Sequence, residues 1–241
     1  MKQFIIGISG KAGSGKDTVA SIINYIIEVG ITKAKYSEWI ASKISMQHKC
    51  DRRCVHFADS LKDCLSIMFD IPREYFDDRE YKEKYYYSFN EHKFINKENL
   101  LSNHKIITIG DLQFNNLPTC ETLFPNKNLV IKLRDLMQYF GTDLCRKQIN
   151  DNIWITSTIR KAVDIINKYN VCIIPDVRFK NEADCINRLS LYGGLIKINR
   201  DVQQLSHESE NIDFSCEYEI DNNGSLLELF YKILNIMQKI I

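Results

Sequence analysis

Short apolar runs and longer amphipathic segments alternate along the chain. Five runs, most of them rich in isoleucine and valine, have the length of buried strands and cover residues 4–8, 55–57, 171–174, 195–198 and 218–220. Parallel strands buried on both faces have this continuous apolar character, and helices usually connect them. The pattern therefore predicts an α/β fold in which helices flank a parallel five-stranded sheet.

Helical spacing marks most of the segments between these runs. Apolar residues recur three or four positions apart over residues 17–29, 59–71, 133–140, 153–166, 179–191 and 225–241. Gly30 and Gly141 follow the last apolar position of the first and third segments, and glycine commonly ends a helix. We therefore expect the first helix to end at Gly30 and the third at Gly141.

Residues 77–128 differ in character from the rest of the chain. Stretches such as Tyr85-Tyr86-Tyr87 and Asn115-Asn116 replace the sustained periodicity found elsewhere. A chain of 241 residues is within reach of one large α/β domain that carries an insertion. We predict a single domain over residues 1–241, with the insertion forming a lid or substrate-binding region.

The charge balance narrows the range of partners. The chain has 32 basic and 31 acidic residues and a net charge of +1, so it has no excess positive field for a nucleic-acid polymer or an anionic membrane.

Its apolar runs are far shorter than the roughly 18–20 residues that span a bilayer, and the N-terminal run lacks a signal-peptide cleavage site. The eight scattered cysteines are typical of buried thiols rather than of a disulfide framework. We expect a small-molecule ligand and a cytoplasmic location.

A glycine-rich loop between the first strand and the first helix carries the strongest chemical signal. Gly10, Gly15 and Lys16 match the spacing G-x-x-x-x-G-K of a phosphate-binding loop. In such a loop the glycines let the backbone curve around a triphosphate, amides point at it, and the lysine neutralises its charge. A turn that binds nothing is the alternative, but the flanking strand and helix favour the loop. We predict that ATP is bound by Gly10, Lys11, Ala12, Gly13, Ser14, Gly15, Lys16, Asp17 and Thr18.

The residues after Lys16 narrow the class of proteins whose phosphate-binding loop this one resembles. Asp17 stands where GTPases and motor ATPases have a magnesium-binding hydroxyl, and the hydroxyl comes one position later, at Thr18. In this respect the loop resembles that of nucleoside monophosphate kinases.

A second group of polar residues follows the strand at residues 171–174. Asp176 lies at the carboxyl end of this strand, where open α/β sheets bind ligands. It can hold Mg²⁺ through water, or it can cap the helix that follows. Arg178 can clamp a phosphoryl group, or it can form a surface salt bridge with Glu182.

Further candidates lie before and after the insertion. Arg134 and Gln138 share one face of a predicted helix, and Arg146 follows Gly141. Phosphoryl transfer between two anions requires several guanidinium groups, because donor and acceptor repel each other. Asp59, Lys62, Gln138 and Trp154 are the candidate acceptor contacts. Asp59 and Lys62 could equally well cap and charge a helix, and a tryptophan among isoleucines is more often a core residue.

Four potential metal ligands lie within nine residues of the chain, namely His48, Cys50, Cys54 and His56. Their spacing matches no standard zinc site, and the last two border a predicted strand. Zinc is therefore only a minor alternative.

Together these blocks resemble the deoxynucleoside monophosphate kinases of large bacteriophages and other large DNA viruses. The resemblance is carried by G-S-G-K-D-T-V-A at residues 13–20, by F-A-D and L-K within 57–62, by R-D-L-M-Q and G-T-D with Arg146 within 134–146, by D-V-R-F and N-E-A within 176–183, and by H-E-S-E at 207–210. These blocks are in family order and span nearly the whole chain.

The resemblance implies a P-loop kinase fold and Mg²⁺-dependent transfer of the γ-phosphate of ATP to a deoxynucleoside 5′-monophosphate, commonly by a homodimer, for DNA precursor supply. It implies catalytic roles for Lys16, Asp17, Arg134, Arg146, Asp176, Arg178 and Glu182, with Asp17 and Asp176 as the metal residues. Asp135 departs from the pattern, because a second basic residue is expected beside Arg134. The insertion matches no family motif, so the preferred base stays open.

Two alternatives are kept. The first is another small-molecule kinase on the same scaffold, similar to the animal-type phosphomevalonate kinases, whose acceptor needs no base-stacking residues. The second is a catalytically idle ATP-binding module, which would bind the nucleotide without turnover.

Overall fold

The computed structural model describes residues 3–42, 52–102, 104–108, 128–189, 194–201 and 212–241. They divide into two compact units, one formed by Met1–Phe57 with Ile155–Ile241 and the other by Ala58–Trp154. The described helices and strands are β1 (Phe4–Gly10), α1 (Lys16–Val29), α2 (Tyr36–Ser42), α3 (Asp59–Phe69), α4 (Arg79–Lys84), β2 (Tyr85–Ser88), β3 (Lys93–Asn96), β4 (His104–Ile107), β5 (Asn128–Lys132), α5 (Leu133–Gln138), a π-helix (Tyr139–Ile149), α6 (Ile153–Tyr169), β6 (Val171–Val177), α7 (Lys180–Leu189), β7 (Gly194–Asn199), β8 (Tyr218–Asp221) and α8 (Leu226–Ile240).

The first unit contains a parallel sheet with the strand order β6-β1-β7-β8. Side chains of β1 alternate between its two faces. Ile6 and Ile8 pack in a core with α1 and α8, whereas Ile5 packs in a core with α6 and α7. Helices thus cover both faces, which confirms the predicted α/β fold with a mostly parallel sheet.

The sheet has four strands among the described residues, so the prediction of five is wrong. Residues 55–57 do not form a strand, and only an isolated bridge joins Cys54 to Ile173 of β6. The backbone N–H of Val55 donates to the carbonyl of Ile173 at 3.1 Å. The N–H of Phe57, two residues after Val55, donates instead to the Asp176 carboxylate at 2.9 Å, so the backbone ladder ends there.

The second unit contains a sheet that the periodicity did not predict. Its order is β3-β2-β5-β4, with β2 antiparallel to β3 and β5, and with β4 parallel to β5. Its strands are only four or five residues long and mix tyrosine, lysine and asparagine with isoleucine, which gives a weak signal. Most of the segment that we interpret as an insertion lies in this unit, although residues 109–127 lie outside the described residues. Its role as a lid stays a prediction.

Gly141 does not end a helix, contrary to expectation. The chain continues through it as the π-helix Tyr139–Ile149. A Cβ at Gly141 would lie 2.7 Å from Cδ2 of Leu61. This glycine is therefore required for close packing rather than for termination. Gly30, in contrast, follows α1 with a φ of 87° and its N–H bonded to the carbonyl of Ile26, as predicted.

Within the described parts of the chain, none of the helices is long and apolar enough to span a bilayer. Of the cysteines in these parts, Cys64, Cys145, Cys172, Cys185 and Cys216 are free thiols. Burial raises the pKa of Cys172 to about 12, so this thiol stays protonated at neutral pH. Cys54 departs from the expectation of thiols, because it is disulfide-bonded.

Candidate active site

The predicted phosphate-binding loop joins β1 to α1 in the first unit. Gly13 and Gly15 have φ values of 79° and 99°, in the left-handed region that favours glycine. The N–H of Ser14 donates to the carbonyl of Lys11 at 3.1 Å, which closes a turn in the loop. No side chain caps the start of α1, and the amides at a helix start are a natural anion-binding site. The local geometry is thus that of a phosphate cradle.

Lys16 places its ammonium group against this loop. Its Nζ donates to the carbonyl of Gly10 at 2.6 Å and to that of Lys11 at 2.8 Å. The positive charge is therefore held at the loop itself and not in open solvent. Asp17 is exposed on the first turn of α1, and Thr18 is half-buried beside it.

Two serine hydroxyl groups of this region are buried. The Oγ atoms of Ser9 and Ser14 have no hydrogen-bond partner among the described residues. Buried hydroxyl groups normally find a partner, so these two atoms mark a place that a ligand or a water molecule completes.

One residue that the sequence analysis missed supports the loop. Asn222 follows β8 directly and is 8% exposed. Its Nδ2 donates to the carbonyl of Ser14 at 2.8 Å. A signal was present in the polar run Asn222-Asn223-Gly224-Ser225 after a strand, since ligands of parallel sheets lie beyond the carboxyl ends of the strands.

Asp176 lies within β6, which pairs with β1 in parallel register such that Val177 is opposite Ser9. It therefore belongs to the same carboxyl edge of the sheet as the loop. Its Oδ1 accepts the N–H of Phe57 at 2.9 Å. The alternative that Asp176 is the N-cap of the following helix is wrong, because α7 begins only at Lys180.

Glu182 is a buried residue in the first turn of α7, with an exposure of 2%. Its Oε2 accepts the backbone N–H groups of Arg178 and Phe179 at 2.8 and 3.1 Å. This contact satisfies two donors at the helix start, in the manner of a capping box. Glu182 thereby holds the backbone of Arg178, which lies beyond the carboxyl end of β6, the strand that carries Asp176.

In the second unit, Arg134 lies in the first turn of α5 and contacts the carboxylate of Glu83 on α4. Lys132, the last residue of β5, donates to the same carboxylate at 2.8 Å. Burial alone would raise the pKa of Glu83, but the hydrogen bond from Lys132 and the charge of Arg134 leave it lowered. Two cations therefore converge on one carboxylate. The second basic residue near Arg134 is thus Lys132, which precedes it in the chain. The family resemblance had led us to expect a basic residue at position 135, where this chain has Asp135.

Asp59 and Lys62 both lie on α3 and both take part in ion pairs. Arg73 contacts Asp59 at 3.1 Å and Asp77 at 2.7 Å, and Lys62 contacts Asp77 at 2.8 Å. Surface pairs of this kind contribute little individually. The network fixes the position of both candidate acceptor residues on α3.

Arg146 and Trp154 are buried in the second unit. The side chain of Arg146, in the π-helix, is 4% exposed, and its Nη1 donates to the carbonyl of Asp151 at 3.0 Å. The indole N–H of Trp154 donates to the carbonyl of Gly141 at 2.9 Å within an apolar cluster. Gln138 is the last residue of α5, four positions after Arg134. The structure thus gives Trp154 a packing role, and its contact with a base stays a prediction.

The remaining candidates cannot be placed. His48, Cys50 and residues 207–210 lie outside the described residues. No group of three or more His, Cys, Asp or Glu side chains suited to a metal ion occurs within the described ranges. Disulfide-bonded Cys54 offers no thiolate to zinc.

A strand, a glycine loop against which a lysine lies, and a helix at the carboxyl end of a parallel sheet form the arrangement that is typical of a phosphate-binding loop. The chain belongs to the deoxynucleotide monophosphate kinase family, whose model matches residues 4–233. It is therefore a phosphotransferase that acts on a small nucleotide.

A relative from a bacteriophage supports the same family assignment. The chain is 22% identical over 240 residues to the deoxynucleoside-5'-monophosphate kinase of Escherichia phage T5, in an alignment covering 86% of this chain and 82% of the relative.

Proposed function

We propose that the protein transfers the γ-phosphate of ATP to a deoxynucleoside 5′-monophosphate and releases ADP and the deoxynucleoside diphosphate. The observation that carries the proposal is the loop at residues 10–18, in which the Lys16 ammonium lies against two loop carbonyls. The name of the phage relative supports the acceptor class.

Lys16 is the residue that we assign to the transferring phosphoryl group. Its Nζ donates to the neutral carbonyl oxygens of Gly10 and Lys11, and phosphate oxygens are stronger, charged acceptors. On binding, the ammonium exchanges carbonyl partners for the β and γ phosphates. An oxygen of the acceptor phosphate then forms the new bond to the γ-phosphorus, while the bond from that phosphorus to the bridging oxygen of ADP breaks.

The residues around the loop suit Mg²⁺. Asp17, Thr18 and Asp176 offer carboxylate and hydroxyl oxygens, which are the hard donors that this ion prefers. When bound, the ion would supply charge neutralisation of the phosphates. We assign Asp17 and Asp176 to hold it, directly or through water.

We assign the acceptor to residues of the second unit. Arg134 and Arg146 supply guanidinium groups for its phosphate, and Asp59, Lys62, Gln138 and Trp154 are the candidates for its sugar and base. Arg178 and Glu182 of the first unit complete the proposed catalytic set, with the Glu182 carboxylate holding the Arg178 backbone in place.

An ADP-release assay tests the proposal. The protein is incubated with ATP, Mg²⁺ and one deoxynucleoside monophosphate, ribonucleoside monophosphate or phosphomevalonate at a time, in parallel with Lys16→Ala. We expect turnover on one or more deoxynucleotides and a loss of about 10²–10³ in kcat for the variant, as for other preorganised charge partners of a transition state. Near-normal turnover of Lys16→Ala would contradict the mechanism.

The other outcomes identify the alternatives. Turnover on phosphomevalonate alone would favour the second kinase class, whereas ATP binding without turnover on any acceptor would favour an idle module.

The proposal also includes a homodimer and, for a viral protein, a location in the cytoplasm of the host cell. Sedimentation of the purified protein tests whether it is a homodimer.

A further inference from the structure

Asn222 joins the C-terminal part of the first unit to the phosphate-binding loop. It is 208 positions away from Ser14 in the chain, yet its Nδ2 donates to the Ser14 carbonyl at 2.8 Å, and this bond is buried. The backbone N–H of Asn222 donates in turn to the carbonyl of Asn199, the last residue of β7, at 2.8 Å. The carboxamide and the backbone N–H of Asn222 thus attach the loop to the ends of strands β7 and β8.

This bond fixes the orientation of the peptide between Ser14 and Gly15. The described chain has no cis peptide bond, and in a trans peptide the C=O and the N–H point in opposite directions. Holding the Ser14 carbonyl toward Asn222 therefore turns the Gly15 N–H away from Asn222. Amides of such loops bind phosphate oxygens when their N–H groups point into the cradle.

The packing around Gly15 supports the same role. An ideal Cβ on Gly15 would lie 2.5 Å from Nδ2 of Asn222, so the carboxamide occupies the space directly beside the loop. Gly15 also has a φ of 99°. The glycine is needed both for this conformation and for the close approach of Asn222.

We propose that Asn222 is a positioning residue for the donor nucleotide, because its carboxamide holds the Ser14–Gly15 peptide with the Gly15 N–H directed at the phosphates. This inference rests on the proposed function of the loop. It assigns to Asn222 no contact with the nucleotide and no part in the chemistry. A hydrogen-bond donor is essential at position 222, because a carboxylate there would place a second acceptor against the Ser14 carbonyl.

The neighbouring Asn223 provides a matched control. It is exposed, its Nδ2 donates to the Asp221 carboxylate at 2.7 Å, and its Oδ1 accepts the N–H of Asp201. Asn222→Asp and Asn223→Asp add the same charge one residue apart. Only the first removes a donor from the loop.

Two measurements test the proposal on the full chain. The first is hydrogen exchange of the loop amides at residues 11–18 without nucleotide, for which we expect faster exchange in Asn222→Asp and Asn222→Ala but not in Asn223→Asp. The second is calorimetric titration with ADP, for which we expect the affinity to fall about tenfold or more in both Asn222 variants and less than about twofold in Asn223→Asp. Affinity for the deoxynucleoside monophosphate should be unchanged in all three.

The outcomes separate this inference from the proposed function. Unchanged exchange of residues 11–18 in both Asn222 variants would overturn the inference, whether or not ADP binds. A wild-type protein that binds no ADP would overturn the proposed function instead. If Asn222→Asp does not fold, the neutral Asn222→Ala still decides the question, and an equal loss of ADP and monophosphate affinity in that variant would show a merely structural role.

Discussion

Replacing Gly15 by alanine tests how tightly the loop is packed. The substitution has two separable costs, one from the backbone and one from the added methyl group. An L-residue with side chain at a φ of 99° is strained by about 1 kcal/mol. The methyl carbon would also lie 2.5 Å from Nδ2 of Asn222, so the carboxamide must move.

The second cost follows from what holds Asn222. Moving its carboxamide breaks the buried hydrogen bond to the Ser14 carbonyl, and overpacking of this kind costs about 1–3 kcal/mol. We therefore expect Gly15→Ala to lower the free energy of unfolding by about 2–4 kcal/mol in total. For a chain of this length that corresponds to a Tm about 4–16 °C lower.

Gly30→Ala is the matched control for the backbone cost. Gly30 also has a positive φ, of 87°, but nothing lies within 4 Å of a Cβ there. Its substitution should cost only about 1 kcal/mol. Urea denaturation followed by far-UV circular dichroism compares the two variants, with Gly15→Ala/Asn222→Ala as the double mutant.

The double mutant should cost less than the sum of its parts, because alanine at position 222 leaves room for the new methyl group. If Gly15→Ala is no less stable than Gly30→Ala, or if the two substitutions are simply additive, the close packing inferred for Asn222 is wrong.

Three further predictions concern other residues. Asp17→Asn should reduce turnover and weaken its dependence on Mg²⁺, and initial rates across a magnesium titration check this. Full activity with an unchanged magnesium dependence would show that Asp17 neither holds the metal nor takes part in catalysis. Trp154→Phe removes the buried hydrogen bond to the Gly141 carbonyl and should lower the free energy of unfolding by about 1–3 kcal/mol in urea titrations, whereas a variant of wild-type stability with a raised KM for the acceptor would favour a substrate contact. Because Lys132 and Arg134 lower the pKa of Glu83 below its ordinary 4.5, this carboxylate stabilises the fold above that value and the contribution is lost as the pH falls through the lowered pKa. Tm measured from about pH 6 to pH 3 should therefore fall less steeply in Glu83→Gln than in the wild type, and parallel curves would refute the assignment.

The phosphate-binding loop was predictable because its signal is local. The glycines, Lys16 and the flanking apolar run lie within a few residues of each other, and the same few residues determine the turn geometry and the chemistry. The long apolar runs of β1, β6 and β7 were predictable for a similar reason, since strands buried on both faces of a parallel sheet have few polar positions.

Features that depend on distant pairings were not predictable. The lateral limit of the first sheet is one example, because residues 55–57 look like a strand, yet the Phe57 N–H donates to the Asp176 carboxylate. The second sheet is another, since β2 pairs with β5 more than 40 positions away through strands too short to show a period. Cross-strand partners, and not the order of residues within a strand, stabilise such sheets.

The chain's own sequence determined the α/β class, the position of the loop and the chemical nature of its lysine, because these depend on residues that are close neighbours in the chain. Tertiary structure alone decided what Gly141 and Asn222 do. Gly141 has the sequence context of a helix end, and only Leu61, 80 positions earlier, shows that it is a packing site. Asn222 resembles any polar residue after a strand until folding brings its carboxamide to the Ser14 carbonyl, since a hydrogen bond between such distant groups leaves no trace in the local pattern of apolar and polar residues.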